Sequence, residues 1–138
     1  MRLLIDTNIL LDVLQIREPY FVEALRLWGY CEERLIEGYI SAVSLTNIAY
    51  VMRKELTPDR MQEIFMALAI TFRIADLSLS DLEKAADMKW RDFEDAVQSA
   101  TASRINADYI ITRNAKDFEG STVKAVTPEE YFAEIFTV

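Results

Sequence analysis

Leu3, Leu4 and Ile5 form an apolar run with no polar face, cut off at once by Asp6, Thr7 and Asn8. A run that short, apolar on both sides, is what a central parallel strand under two layers of helices requires. Ile9, Leu10, Val13 and Leu14 then return at helical spacing, so the chain opens as strand, polar stop and helix. Asp6 is thereby placed at a strand's carboxyl end, the edge of an open α/β sheet where ligands collect. Asp, Thr and Asn also cap the first turn of helices, so the same stretch reads as an N-cap.

With 138 residues, 51% of them hydrophobic and only three of them glycine, the chain can bury one sizeable core. A single domain over residues 1–138 is expected, without linker, low-complexity segment or repeat. The sequence has no histidine. That excludes His-based triads, His-ligated zinc and imidazole bases, leaving carboxylates, hydroxyls or an oxygen-held metal for any hydrolysis. Cys31 is the single cysteine, which rules out an internal disulfide and suits a reducing cytoplasm. The run before Asp6 is too short for a signal peptide. The longest apolar stretch, Ile64 to Ile70, falls far below the roughly 20 residues of a membrane span, so a soluble cytoplasmic protein is expected. A formal charge of −8 argues against a general nucleic-acid coat. It leaves a nuclease open, because acids around a cleft hold metal ions that supply the missing positive charge.

Glu18-Pro19 interrupts the first helix pattern, and Phe21, Ala24, Leu25, Trp28, Cys31 and Leu35 predict one long amphipathic helix ending at Gly38. Tyr39 to Ser41 reads as a second strand, with Ser44 opening a helix through Ile48, Val51 and Met52. Thr57-Pro58 is an N-cap followed by proline in the first helical position, ahead of the stripe Met61, Ile64, Phe65 and Leu68. Phe72 to Ala75 is the third expected strand. Capping boxes are predicted at Ser80 to Glu83 and Thr127 to Glu130. Between them, Asp92 to Ala102 reads as a helix whose Ala96, Ser99, Ala100 and Ser103 permit close packing on a sheet. Its acidic first turn, Asp92, Glu94 and Asp95, suits a helix N-terminus on electrostatic grounds alone. Tyr109 to Ile111 is a further strand, again ended by polar residues, Thr112-Arg113-Asn114, with Asp117 three positions on.

Strands alternating with helices imply a parallel sheet, which brings strand ends to one edge. Asp6, the loop ending at Asp117 and the acidic helix start would then converge. Carboxylates gathered without cations repel one another unless a hard divalent ion such as Mg²⁺ or Mn²⁺ sits between them, and phosphoesters are that ion's usual substrates.

Four stretches, Leu3 to Asn8, Ser41 to Thr46, Asp92 to Gln98 and Ile110 to Phe118, occur in an order that resembles the PIN-domain family of small metal-dependent ribonucleases. The resemblance implies a three-layer α/β/α sandwich around a central parallel sheet. It also implies a Mg²⁺ or Mn²⁺ site at Asp6, Asp95 and Asp117, with Asp92 as an auxiliary acid. Thr7, Asn8, Thr112, Arg113 and Asn114 fall beside that site, and Arg113 or Lys116 is a candidate phosphate contact. Cleavage of single-stranded RNA by metal-activated water is the implied activity. Many relatives are toxins of toxin–antitoxin pairs, which implies an antitoxin partner and a homodimer. One position departs from the pattern. Where relatives carry an acid in the helix after the second strand, this sequence has Asn47, which offers a neutral oxygen to a metal and removes one negative charge. A structural alternative has Asn47 hydrogen-bonding Asp6 or Asp95.

Two rival readings follow. Asn47 suits a weakly active or inactive PIN-fold module that binds nucleic acid or antitoxin. An aspartate after the first strand also suits a phosphatase of the haloacid dehalogenase type, but that family places a second Asp where this chain has Asn8.

Overall fold

The structure, a computed structural model, describes residues 1–137. The chain alternates as expected: β1 (Arg2–Ile5), α1 (Thr7–Leu14), α2 (Phe21–Glu32), β2 (Glu37–Ser41), α3 (Ala42–Val51), α4 (Pro58–Thr71) and β3 (Arg73–Ala75). Then follow α5 (Leu79–Met88), α6 (Phe93–Arg104), β4 (Tyr109–Ile111), a 3₁₀ turn (Ala115–Phe118), β5 (Ala125–Val126) and α7 (Pro128–Glu130). A π-helical turn (Tyr131–Ile135) continues α7. The five strands form one parallel sheet in the order β3-β2-β1-β4-β5.

Alternation of side chains across β1 divides the core into layers. Leu3 and Ile5 meet Leu10, Leu27 and Leu68, from α1, α2 and α4, on one face. Leu4 and Ile110 meet Ala102 and Phe118 on the other. With both faces covered, every residue from Leu3 to Ile5 is buried, which is why that run carries no polar side chain. The fold is the α/β/α sandwich that the resemblance implies. Among the described residues, no helix is long and apolar enough to cross a membrane.

The sheet order sets the site. From β1 the chain builds outward to β2 and β3, then returns to place β4 on β1's other side. The crevice between β1 and β4 is a topological switch point, where strand connections diverge and leave room for a ligand at the carboxyl ends.

Several element ends differ from the sequence reading. Helix α2 stops at Glu32, and Gly38 lies inside β2 instead of capping a helix. The left-handed residue after α2 is Arg34 (φ 63°), whose guanidinium donates to the carbonyls of Ile70 and Thr71. Gly38 answers a different need: a Cβ there would stand 2.8 Å from Cys31 Sγ and 2.9 Å from Phe72 Cδ1. Ser41 caps α3 in place of Ser44, and Ser78 with Asp81 forms the capping box expected at Ser80. Thr57 and Thr127 cap as expected. Strand β5, two residues long, has no counterpart in the sequence reading.

Candidate acidic site at the strand ends

Asp6 closes β1 and caps α1 with the same side chain. Its Oδ1 accepts from the Thr7 amide at 2.8 Å, and its Oδ2 accepts from the Thr112 hydroxyl at 2.8 Å. The Asp6 amide donates to the Ile111 carbonyl at 2.9 Å, so the ends of β1 and β4 are stitched together at the switch point. The cap and the site residue are one group, and the two sequence readings of Asp6 are compatible.

Helix α6 brings the second acidic contribution. Asp92 is its N-cap, accepting from the Asp95 amide at 3.1 Å, and this turn orients Glu94 and Asp95 over the strand ends. Asp6, Glu94 and Asp95 each offer a carboxylate oxygen, and these atoms lie within 4.8 Å of one another. None of the ion pairs among the described residues involves any of the three. Burial and crowding show in the protonation of Asp6 and Asp95. Burial pushes the Asp6 carboxyl up to about 7, helped by the charges of Glu94 and Asp92 against the hydrogen bonds from Thr112 and Thr7. Burial, followed by the charges of Asp6, Asp92, Glu94 and Asp117, pushes Asp95 up to about 8.

Glu94 is the residue that sequence reading kept among the helix-start acids without assigning it to the site. A neutral network fixes it. Gln98 Nε2 donates to Glu94 Oε1 at 3.0 Å, to Ser44 Oγ at 3.0 Å and to Thr7 Oγ1 at 3.3 Å, while Thr7 and Ser44 share a 2.7 Å hydrogen bond. Three oxygens around one amide nitrogen fix the orientation of Gln98, and its fully buried Oε1 has no partner among the described residues. The i, i+4 spacing of Glu94 and Gln98 was the available signal, since it puts both on one face of α6.

The remaining candidates scatter. Asp117 is exposed and stands outside the group of three, although its charge reaches Asp95 and it lines the same groove. Asn47 is half-buried on α3, three residues after Ser44, and makes no hydrogen bond to Asp6 or Asp95. Asn8 and Asn114 are exposed, and the Asn114 amide donates to Thr112 Oγ1 at 3.4 Å. Arg113 turns away to the buried carboxylate of Asp12 and lies 4.0 Å over the Tyr20 ring. Lys116 is exposed and unpaired among the described residues. Beside the acids runs an open groove of about 600 Å³, where Trp90, Arg91 and Phe93 face Asp95 and Asp117.

The donor set is entirely carboxylate oxygen, crowded and without a counter-cation, which fits a hard divalent ion and no soft one.

Comparison with known proteins agrees with this fold. A family model described as PIN domain matches residues 2–116. A toxin–antitoxin complex from Klebsiella pneumoniae contains a similar chain, 29% identical, with a TM-score of 0.68 over 91% of this chain and 96% of that one. VapC20 of Mycobacterium tuberculosis, a sarcin–ricin loop cleaving toxin, has a TM-score of 0.71 at 16% identity, covering 91% and 99%. FitAcB from Neisseria gonorrhoeae has a TM-score of 0.68 at 17% identity, covering 92% and 98%. No curated protein matches.

Proposed function

Because this chain belongs to the PIN-domain family, we propose that it is a metal-dependent endoribonuclease acting on single-stranded RNA, the toxin of a toxin–antitoxin pair. The observation that carries this reading is the set of three mutually close carboxylates, Asp6, Glu94 and Asp95, at the switch point of a parallel sheet with no cation among them. In the proposal these three hold a Mg²⁺ or Mn²⁺ ion, with Asp117 and Asp92 adding negative charge from the rim. Such an ion, when bound, supplies positive charge to phosphodiester oxygens and makes water more acidic.

The protein's own groups do the positioning. Thr112 and the Thr7 amide hold both oxygens of Asp6, and Gln98 holds Glu94 from behind. Glu94 also answers the question that Asn47 raises. Its carboxylate reaches the Gln98 amide that binds Ser44, and Ser44 shares an α3 face with Asn47. A negative charge delivered by α6 thus stands in for the one missing from α3, which favours an active site over an inactive binding module.

The similar chain in the Klebsiella complex supports an antitoxin partner, one presenting Arg or Lys to the acidic edge. A homodimer remains part of the same proposal. The decisive assay incubates the protein with single-stranded RNA. Cleavage should require Mg²⁺ or Mn²⁺, stop with EDTA and be lost in Asp95→Asn, while Glu94→Gln should weaken Mn²⁺ binding measured by calorimetry. Full cleavage in EDTA would overturn the mechanism, and unchanged Mn²⁺ affinity in Glu94→Gln would remove Glu94 from the site.

A further inference from the structure

Two residues flanking the Asp92 cap break the local rules of a helix start. A hydrophobic staple would pair an apolar residue at position 91 with one at position 96, yet position 91 is Arg. The large apolar residue instead occupies the first helical position, as Phe93, where it is 49% exposed. Single exposed apolar side chains are ordinary. Phe93 differs because it lines the same groove as Asp95 and Asp117, one residue before Glu94. Its ring has no aromatic partner among the described residues, whereas neighbouring Trp90 packs edge-on against Phe118 at 6.1 Å between centroids. Arg91 is equally unspent: it is exposed and forms no ion pair among the described residues, although carboxylates share its groove.

We propose that Phe93 and Arg91 form a nucleotide-positioning platform, the Phe93 ring stacking a base and the Arg91 guanidinium taking a phosphate of single-stranded RNA beside the acidic site. The proposal rests on the nuclease reading and assigns its substrate contacts. An aromatic face next to a free guanidinium matches what a single strand offers, a base with a π-face and a phosphate that accepts paired N–H donors. The position also answers the electrostatic difficulty of a chain with charge −8, since a phosphate approaching this edge meets a cation that no internal acid has claimed.

The test measures binding of a short single-stranded oligoribonucleotide carrying a fluorescent base analogue, in the Asp95→Asn background so that the probe is not cut. Phe93→Ala should weaken binding about 5- to 150-fold and abolish stacking-induced quenching, Phe93→Leu should do the same, and Phe93→Tyr should stay within about twofold. Arg91→Ala should weaken binding and lower the salt slope by about 0.7. Equal affinity and quenching in Phe93→Ala would overturn the platform, as would a failure of the unsubstituted Phe93 protein to bind. The same result would leave the ring available to a protein partner. Cleavage by the protein with Asp95 restored is scored separately. RNA cleaved with an unchanged KM in Phe93→Ala keeps the nuclease and removes the platform. A probe bound and quenched but never cleaved keeps the platform and removes the nuclease.

Discussion

One oxygen of Asp6 caps α1 while the other takes the Thr112 hydroxyl, and these hydrogen bonds favour the charged carboxylate, but burial and the charge of Glu94 outweigh them. In the unfolded chain the Asp6 and Asp95 carboxyls return to their ordinary value of 3.8, whereas folding raises them to about 7 and about 8. The folded state therefore binds more protons than the unfolded state between those limits, and stability falls as pH rises through them. Stability from these groups is fully present below about pH 4 and lost by about pH 8. The Tm of metal-free protein in EDTA should drop over the upper part of that window, and the proposed binding of Mn²⁺ to the deprotonated carboxylates should restore it most at high pH. Asn47→Glu should deepen the metal-free drop and tighten Mn²⁺ binding. Thermal melts across that pH range check both, and a flat metal-free profile would mean that neither burial nor crowding raises these carboxyls.

Helix α1 is tied to the loop after β4 by Asp12 and Arg113, one residue beyond the Thr112 that holds Asp6. The two partners are unequally buried, with Asp12 at 0% side-chain exposure and Arg113 at 28%. Arg113→Met leaves a carboxylate stranded in the core and should lower stability by about 3 to 5 kcal/mol. Asp12→Asn leaves a neutral amide and a guanidinium already near water, and should cost distinctly less. Urea unfolding of both variants measures the difference, and equal losses would contradict the asymmetry. This pair also marks where sequence reading stops. The first four strands, the helix order and the Asp6 stop were legible because they follow from local period and burial, as Leu3 to Ile5 and Tyr109 to Ile111 show. Gly38 was misplaced, and the ion pair of Arg113 was invisible, because tertiary partners decide both. Gly38 makes room for Cys31 and Phe72, and Arg113 answers an acid 101 residues away. Glu94 was visible as an acid, but its place beside Asp6 depends on how α6 crosses the strand ends.

Across the whole molecule, β1 is the hub, paired with β2 on one side and β4 on the other. The first pairing joins Leu3 to Gly38, while the second joins it to Tyr109. Contacts that distant in sequence form slowly, because a long loop must close before they contribute. In pulse-labelled hydrogen exchange during refolding, the Asp6 amide, which donates to Ile111, should gain protection together with β4 and later than the amides of α4. Protection of Asp6 before β4 would show that the hub is completed some other way. The hub position also bears on how such a chain is made. Synthesis runs from the amino terminus, so β1 emerges before both of its partners, and its second edge stays bare until residue 109 and beyond have been translated. A nascent chain thus carries Leu3 to Ile5 with an open edge until β4 has emerged, exposed to association with other chains. The acids meet only once α6 has been translated, and an interrupted chain lacking β4 would lack the Thr112 hydroxyl that sets Asp6. A chain truncated before β4 would carry Asp6 beside Glu94 and Asp95 with nothing to fix the rotation of its carboxylate from the β4 side.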